Sequence, residues 1–345
     1  MWDTPLTLLR IGVIGLGHWG PNYARLVAGA VDGVDLVALV DSDEKRLQTV
    51  GRQYPKALCF PDHRALIAFG AVDAVVVATP ATTHRLIVEE CLDAGLDVLV
   101  EKPIAGTAAD AAAMADRADE TRRILMVAHT FLFNPAVRRV KRYIEDGFLG
   151  RIMYLSFIRT GLGPIRQDVN ALWDLAPHDL TMLRYWTGED EPIEVVARGQ
   201  SYLRRGTDDV VFVILRFPND ILAGIHVSWL DPVKDRRVTI VGDQKMVVFD
   251  DVNVVEKLRV YDKGANYQPR GGDFGDFVAA VRDGDILIPK IENREPLREQ
   301  LAHFVDCVRT RRQPICDGRD GAAVVRLLDR VQAELDRSDI GAALT

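Results

Sequence analysis

Residues 9–20 read Leu-Arg-Ile-Gly-Val-Ile-Gly-Leu-Gly-His-Trp-Gly, and the reading of this stretch decides the fold. An apolar, strand-like run closes on Gly15-Leu16-Gly17-His18-Trp19-Gly20, a GxGxxG turn, and a helix-forming segment from Trp19 to Ala30 follows. The first glycine permits the tight turn and the second lets the backbone approach a pyrophosphate. The third lets helix and strand pack closely, and the helix N-terminus faces the phosphate charge. Alone the pattern is weak, but here a second strand ends at Asp41, about 20 residues further on, which is the context the fingerprint requires. A carboxylate at that place accepts hydrogen bonds from the adenosine ribose and repels a phosphate, so NAD is favoured over NADP. Arg46 lies shortly after it and leaves NADP open.

Working outward, the runs LRIGVI, VDLVALV, VDAVVVA, LDVLV and ILMVA alternate with helix-like segments as far as Ala128. That rhythm is βαβ, and strands this apolar belong to a parallel sheet covered on both faces, so residues 1–128 are expected to form an α/β Rossmann domain. The Ala-rich segment TAADAAAMADRADETRR is predicted as a helix with Thr107 as its N-cap.

The rhythm then changes. After a helix predicted from Pro135 to Asp146, strands are expected near RIMYLSFIRT, IEVVARGQSYL, DVVFVILRF, ILAGIHVSWL, RRVTIVG and KMVVFD. Short connections pair such strands antiparallel, with Pro218, Asn219 and Asp220 as a hairpin turn. Two helices are expected to close the chain, one after Pro296 and one after Gly321. Residues 129–345 thus read as an α+β domain with an open, mostly antiparallel sheet, the boundary lying between Ala128 and Asn134.

A chain of 345 residues suits two domains, and 48% apolar with 27% charged residues is the composition of a globular protein. A formal charge of −7 without a basic run argues against nucleic acid as a ligand. Cys59, Cys91, Cys307 and Cys316 show no CxxC spacing, and no HExxH or Cys/His cluster suggests a metal, so reduced, buried thiols are expected. No apolar stretch reaches membrane-spanning length, and the first residues lack the features of a secretory leader. A cytoplasmic protein is the expectation.

Two further motifs carry chemistry. Glu101-Lys102-Pro103 ends the fourth expected strand, at the edge of a parallel sheet where ligands bind. A lysine there stabilises an alkoxide as a hydride leaves it, or is a solvated strand end. The second motif is Trp173-Asp174-Leu175-Ala176-Pro177-His178-Asp179. Because proline is tolerated in a helix's first turn, a helix is predicted to start near Asp174, with Asp174 and His178 on one face. At a helix N-terminus the imidazole stays neutral and can accept a proton. By residue type alone, Asp174 serves equally as an N-cap and His178 as a core histidine.

Together with Thr79-Pro80, His84 and the Phe133-Asn134-Pro135 tract, these pieces resemble, over essentially the whole chain, the family named after glucose-fructose oxidoreductase, inositol dehydrogenase and MocA. The resemblance implies a catalytic triad of Lys102, Asp174 and His178. It also implies a cofactor cleft lined by Thr79, Pro80, His84 and Glu101, and homodimers or homotetramers packed through the second domain's sheet. One departure is that many relatives carry a Gly-Gly-Gly run before the catalytic Asp, where this chain reads DVNALWD.

Within the family, the tracts GLGPIRQDVNALWDLAPHD and VKDRRVTIVGDQKMVVFDD are similar to the branch of the UDP-N-acetylglucosamine 3-dehydrogenases. Arg166, Asn170 and Trp173 then become candidates to meet a sugar or its diphosphate, by charge-assisted hydrogen bonds and by stacking. The expected reaction is NAD-dependent oxidation of a ring hydroxyl, at carbon 3, of a nucleotide sugar. The alternatives are an inositol or free-sugar dehydrogenase, an NDP-3-keto-sugar reductase, and a non-catalytic NAD-binding sensor, which has no need of the three polar residues.

Overall fold

The computed structural model describes residues 8–267 and 279–343. Residues 1–7, on which the expectation of a missing leader rests, lie outside the described residues. The chain divides into two compact units, Met1–Phe133 with Arg294–Arg326, and Asn134–Asn293 with Leu327–Thr345.

The first unit runs β1 (Leu9–Ile14), α1 (Gly20–Gly29), β2 (Val34–Val40), α2 (Glu44–Gly51), β3 (Leu58–Phe60) and α3 (His63–Phe69). It continues through β4 (Ala74–Val77), α4 (Ala81–Asp93), β5 (Asp97–Val100), α5 (Ala108–Thr121) and β6 (Leu125–Val127). The six strands pair in parallel in the order β3-β2-β1-β4-β5-β6. This is the doubly wound dinucleotide order, in which the switch between β1 and β4 opens a ligand crevice beyond the carboxyl ends of the strands. The middle strands are apolar because both faces are covered: all four residues of β4 are 0% exposed. Thr107 accepts from the Asp110 amide and starts α5, whose buried stripe is Ala111, Met114, Ala115 and Ala118.

The second unit runs α6 (Pro135–Glu145), β7 (Ile152–Thr160), α7 (Ala171–Thr187), β8 (Glu194–Gln200), β9 (Val210–Arg216), β10 (Leu222–Ser228), β11 (Asp235–Gly242) and β12 (Met246–Asp250). Short strands follow: β13 (Leu258–Tyr261), β14 (Gly264–Tyr267), β15 (Ala279–Arg282) and β16 (Ile286–Leu287). The main sheet has the order β16-β13-β12-β11-β7-β10-β9-β8, antiparallel throughout except where β10 lies parallel to β7. The hairpin between β9 and β10 falls at 218–220 as expected, with Asp220 in the left-handed region at φ 64°. Period-two alternation is clear in β9, where Val211, Val213 and Leu215 are buried and Phe212 and Ile214 exposed. One face of this sheet is covered by α7, and Trp186 of that helix donates to the Val137 carbonyl of α6 at 3.0 Å.

The closing helices are α8 (Pro296–Thr310) and α9 (Gly318–Ala343), the latter starting ahead of the expected Gly321. The division drawn at residues 1–128 and 129–345 is corrected by them, because residues 294–326 group with the first unit. The reason lies in specific bonds. Val127 donates its amide to the Cys316 carbonyl at 2.8 Å, Thr130 donates to Gln300 Oε1 at 2.6 Å, and the Phe133 and His303 rings lie 5.4 Å apart.

Two smaller expectations are also revised. Cys91, Cys307 and Cys316 are buried, but Cys59 is exposed because β3 is a short edge strand. Helix α7 starts at Ala171 rather than near Asp174, which leaves Pro177 inside the helix. Among the described residues no helix is long and apolar enough to cross a membrane.

Candidate active site

In the first unit, the glycine turn follows from three local demands. Gly15 has φ 90°, and a Cβ there would stand 2.8 Å from the Ala78 carbonyl group. A Cβ on Gly20 would collide with the Gly15 carbonyl oxygen, so α1 can start this close to β1 only with glycine. At Gly17 an added Cβ would meet nothing nearer than Arg46 Nη1 at 3.9 Å, so the backbone is open there. Trp19 caps α1 without a side-chain hydrogen bond, and His18 touches its ring edge-on. An uncapped helix start beside open glycine backbone is an anion cradle.

Asp41 ends β2, 7% exposed, and both its oxygens accept backbone amides: Leu16 N on Oδ2 and Asp43 N on Oδ1, each at 2.7 Å. The buried acid therefore shapes the glycine loop, and a carboxylate keeps lone pairs for further donors. Arg46 lies 3.4 Å from Asp41 Oδ2 and also pairs with Asp43. Beside them is an open cavity of about 400 Å3 lined by Leu16, Gly17, Lys45, Arg46, Thr49 and Val50. Its place, between the glycine turn and α2, fits the adenosine half of a dinucleotide.

The remaining residues of this half prove to be tied to one another. His84 is 1% exposed, with Nε2 2.8 Å from the Thr79 carbonyl and Nδ1 3.1 and 3.2 Å from those of Pro103 and Ile104. It staples the Thr79-Pro80 turn, where Pro80 caps α4, to the chain after Lys102. Burial pushes its imidazole pKa down. Glu101 accepts from the Tyr23 hydroxyl at 2.8 Å and from the Lys102 amide at 3.1 Å. Burial raises the Glu101 carboxyl, while the Tyr23 hydrogen bond acts against the rise. Lys102 thus leaves a turn pinned on both sides, through a cis bond to Pro103. The sequence held no signal for Tyr23, because an aromatic on a helix reads simply as core.

In the second unit, Asn170 caps α7, accepting from the Trp173 amide at 3.1 Å while its own amide donates to Gln332 at 2.9 Å. Expected as a sugar contact, its side chain is occupied in starting the helix, the usual work of Asn before a first turn. Asp174 is consequently not the cap. It sits in the first turn of α7, four residues before His178 and so on one face with it, and both side chains are half-buried. His178 stands deeper in the helix than expected, beyond the first turn where the helix dipole acts most strongly.

Two neighbours fix the Asp174 carboxylate. Trp229, at the end of β10 and 2% exposed, donates Nε1 to Oδ2 at 3.1 Å, and Arg166 Nη1 lies 3.5 Å from Oδ1. Arg166 also grips Asp168 with two hydrogen bonds, at 2.9 and 2.5 Å, and Trp173 is half-buried. Under the helix, Arg159 of β7 makes three contacts of 2.7–3.1 Å with Asp179, the residue after His178. Burial raises the Asp179 carboxyl, and Arg159 opposes it. A carboxylate oriented by an indole N–H, beside an imidazole one turn on, is an arrangement for moving a proton.

Comparison with known proteins places the two units in one family. Residues 9–129 match the model described as "Oxidoreductase family, NAD-binding Rossmann fold", and residues 137–248 match the GFO/IDH/MocA C-terminal domain. UDP-N-acetylglucosamine 3-dehydrogenase of Acidithiobacillus ferrooxidans is 28% identical over 95% of this chain and 99% of its own length. Its solved structure superimposes with a TM-score of 0.80 at 26% identity, covering 95% of this chain and 98% of that one. Myo-inositol 2-dehydrogenase of Thermotoga maritima is also 28% identical, over 92% of this chain and 94% of its own. The WlbA dehydrogenase of Bordetella pertussis, solved with NADH and UDP-GlcNAcA, shares the fold at 24% identity and a TM-score of 0.78, over 96% and 97% of the two chains.

Proposed function

This chain belongs to the GFO/IDH/MocA family of oxidoreductases acting on CH–OH groups, and from that premise we propose that it oxidises a ring hydroxyl, at carbon 3, of a nucleotide sugar such as UDP-N-acetylglucosamine. The observation that carries this reading is the Asp174–His178 pair on one face of α7, within a chain similar over nearly its whole length to a UDP-N-acetylglucosamine 3-dehydrogenase.

NAD+ supplies the hydride acceptor when bound. The backbone of Gly15 to Gly20 would hold its pyrophosphate, and Asp41 its adenosine ribose, with Thr79, Pro80, His84 and Glu101 setting the turns around it. Arg46, already paired with Asp41 and Asp43, is assigned to the same face, so NAD is preferred and NADP is the weaker cofactor. His178 accepts the hydroxyl proton, Asp174 orients and polarises the imidazole, and the Lys102 ammonium stabilises the alkoxide. Arg166 and Trp173 are assigned to the sugar or its diphosphate.

The reading also includes a homodimer or homotetramer. The sheet face opposite α7 carries Tyr154, Val196, Phe212, Ile214 and Leu222, each more than a third exposed among the described residues, a kind of patch that marks an association surface. A cytoplasmic setting suits four free thiols.

Absorbance at 340 nm after mixing the protein with NAD+ and UDP-N-acetylglucosamine tests the proposal, with myo-inositol and glucose in parallel. Reduction with the nucleotide sugar alone supports it. Reduction with polyols alone moves the chain to the second reading, an inositol or free-sugar dehydrogenase, which the similarity to myo-inositol 2-dehydrogenase favours.

A further inference from the structure

In the second unit, Arg236 of β11 stands directly opposite Arg159 of β7 in an antiparallel register. Directly opposed residues point to the same face of a sheet, and like charges so placed are destabilising unless each is answered. Arg159 is answered by Asp179 of α7, so both arginines lie on the face which that helix covers. Arg236 is not answered in the same way. Its side chain has no hydrogen bond among the described residues, and its ion pair with Asp251 is long, at 3.8 Å. Asp251 is at the same time 3.6 Å from Lys257 and accepts from Asn134 at 3.3 Å.

The Arg236 side chain is 36% exposed, close enough to Asp174 and Asp179 to feel both charges. Burial and the Arg159 charge together lower its pKa, yet a guanidinium stays protonated in a protein. The result is a part-desolvated, planar fork of N–H donors, near the acid of the proton-moving pair, with no acceptor at hydrogen-bonding distance among the described residues. A phosphate or carboxylate matches such a fork with two parallel hydrogen bonds.

We propose that Arg236 binds an anionic group of the substrate, phosphate or carboxylate, and makes this site select a charged sugar over a neutral polyol. The inference rests on the dehydrogenase reading above and narrows its substrate class.

The test compares wild type with Arg236→Gln and Arg236→Lys on UDP-N-acetylglucosamine, D-glucuronate and myo-inositol. NADH binding, measured by fluorescence, serves as the control for folding. Loss of a charge-assisted hydrogen bond predicts that the preference in kcat/KM for the anionic substrate over myo-inositol falls about tenfold or more in Arg236→Gln. The fall is carried by KM and partly restored in Arg236→Lys. A fall confined to UDP-N-acetylglucosamine assigns the group to a phosphate, and one confined to D-glucuronate assigns it to a carboxylate. An equal loss on all three, no loss, or a wild type active on myo-inositol alone overturns the proposal. If the wild type turns over none of them, the dehydrogenase reading fails separately, and calorimetry with UDP, D-glucuronate and uridine decides the role of Arg236. Tenfold weaker binding of UDP or D-glucuronate to Arg236→Gln, with uridine unaffected, upholds it, and equal binding to both proteins overturns it.

Discussion

The Trp229 indole donates its Nε1 hydrogen to Asp174 Oδ2 at 3.1 Å, which couples the end of β10 to the first turn of α7. The donor is a ring 2% exposed, so its direction is set by packing. Trp229→Phe keeps most of the ring and removes the hydrogen bond. Because a hydrogen bond to a charged group is worth about 1.5–3 kcal/mol, kcat is expected to fall about tenfold or more, with NADH affinity unchanged. In an Asp174→Asn background the same substitution should add little, since both changes act on one interaction. Steady-state rates on the four proteins check this.

His178→Ala and Lys102→Ala remove the proton acceptor and the alkoxide partner. Each is expected to lower turnover by about 10²- to 10⁴-fold, the range of a positioned acid or base. His178→Ala should still bind NADH, which fluorescence titration measures. A His178→Ala protein with wild-type turnover would show that the imidazole does no chemistry.

The Arg159–Asp179 pair is almost wholly buried, its side chains 5% and 1% exposed. Removing one partner leaves a charge stranded in the interior, so Asp179→Asn should cost about 3–5 kcal/mol in urea unfolding. Replacing both, as Arg159→Met with Asp179→Leu, should restore much of that loss. If the single and double variants unfold alike, the pair is not what holds β7 to α7.

Acid should loosen the contact between α3 and α4. Glu90 accepts from Arg64 at 2.9 and 2.7 Å and lies 2.7 Å from His63 Nε2. The Arg64 hydrogen bond foremost, and His63 after it, bring the Glu90 carboxyl down to about 2 from an ordinary 4.5. A carboxyl lowered by folding adds stability that is full above its unfolded value and vanishes as pH falls through the folded one. The Tm difference between wild type and Glu90→Gln should therefore be largest above pH 4.5 and close between 4.5 and 2. Thermal melts across that range measure it.

On the sheet face opposite α7, Phe212 of β9 stacks on His226 of β10 with ring centroids 4.2 Å apart, and Val196 lies opposite Ile214. Phe212→Glu puts a charge in the middle of this apolar row. Sedimentation should show an oligomer for wild type and a smaller species for the variant, because an unpaired charge buried at an interface costs several kcal/mol.

Much of this architecture was legible in the sequence. The GxGxxG turn, the acid at Asp41, the Thr107 cap and the hairpin at 218–220 are local rules, and each leaves its mark within a few residues. The short strands β3, β13, β14, β15 and β16 leave no mark because a run of two to four residues carries no period, whereas the equally short β4, β5 and β6 stand out as continuous buried apolar runs. The start of α7 is not legible from residue type, because Asn170 and Asp174 are equally good caps and Pro177 favours the later one, yet the helix keeps Pro177 inside it. Tyr23, Trp229 and Arg236 carry no local signal in the sequence. Each acquires its meaning from a partner distant in the chain, as when Tyr23 meets Glu101 or Arg236 faces Arg159.

The return of residues 294–326 to the first unit has a consequence for how the protein is made. A ribosome that has released residues 1–133 has exposed every strand of the six-stranded sheet but none of the groups that finish it. The Val127 amide still lacks Cys316, Thr130 lacks Gln300, and Phe133 lacks His303. The nascent dinucleotide-binding sheet must wait, partly uncovered, while residues 134–293 are synthesised. Order of translation and order of completion are inverted: the first sheet to emerge is closed by residues translated after the second.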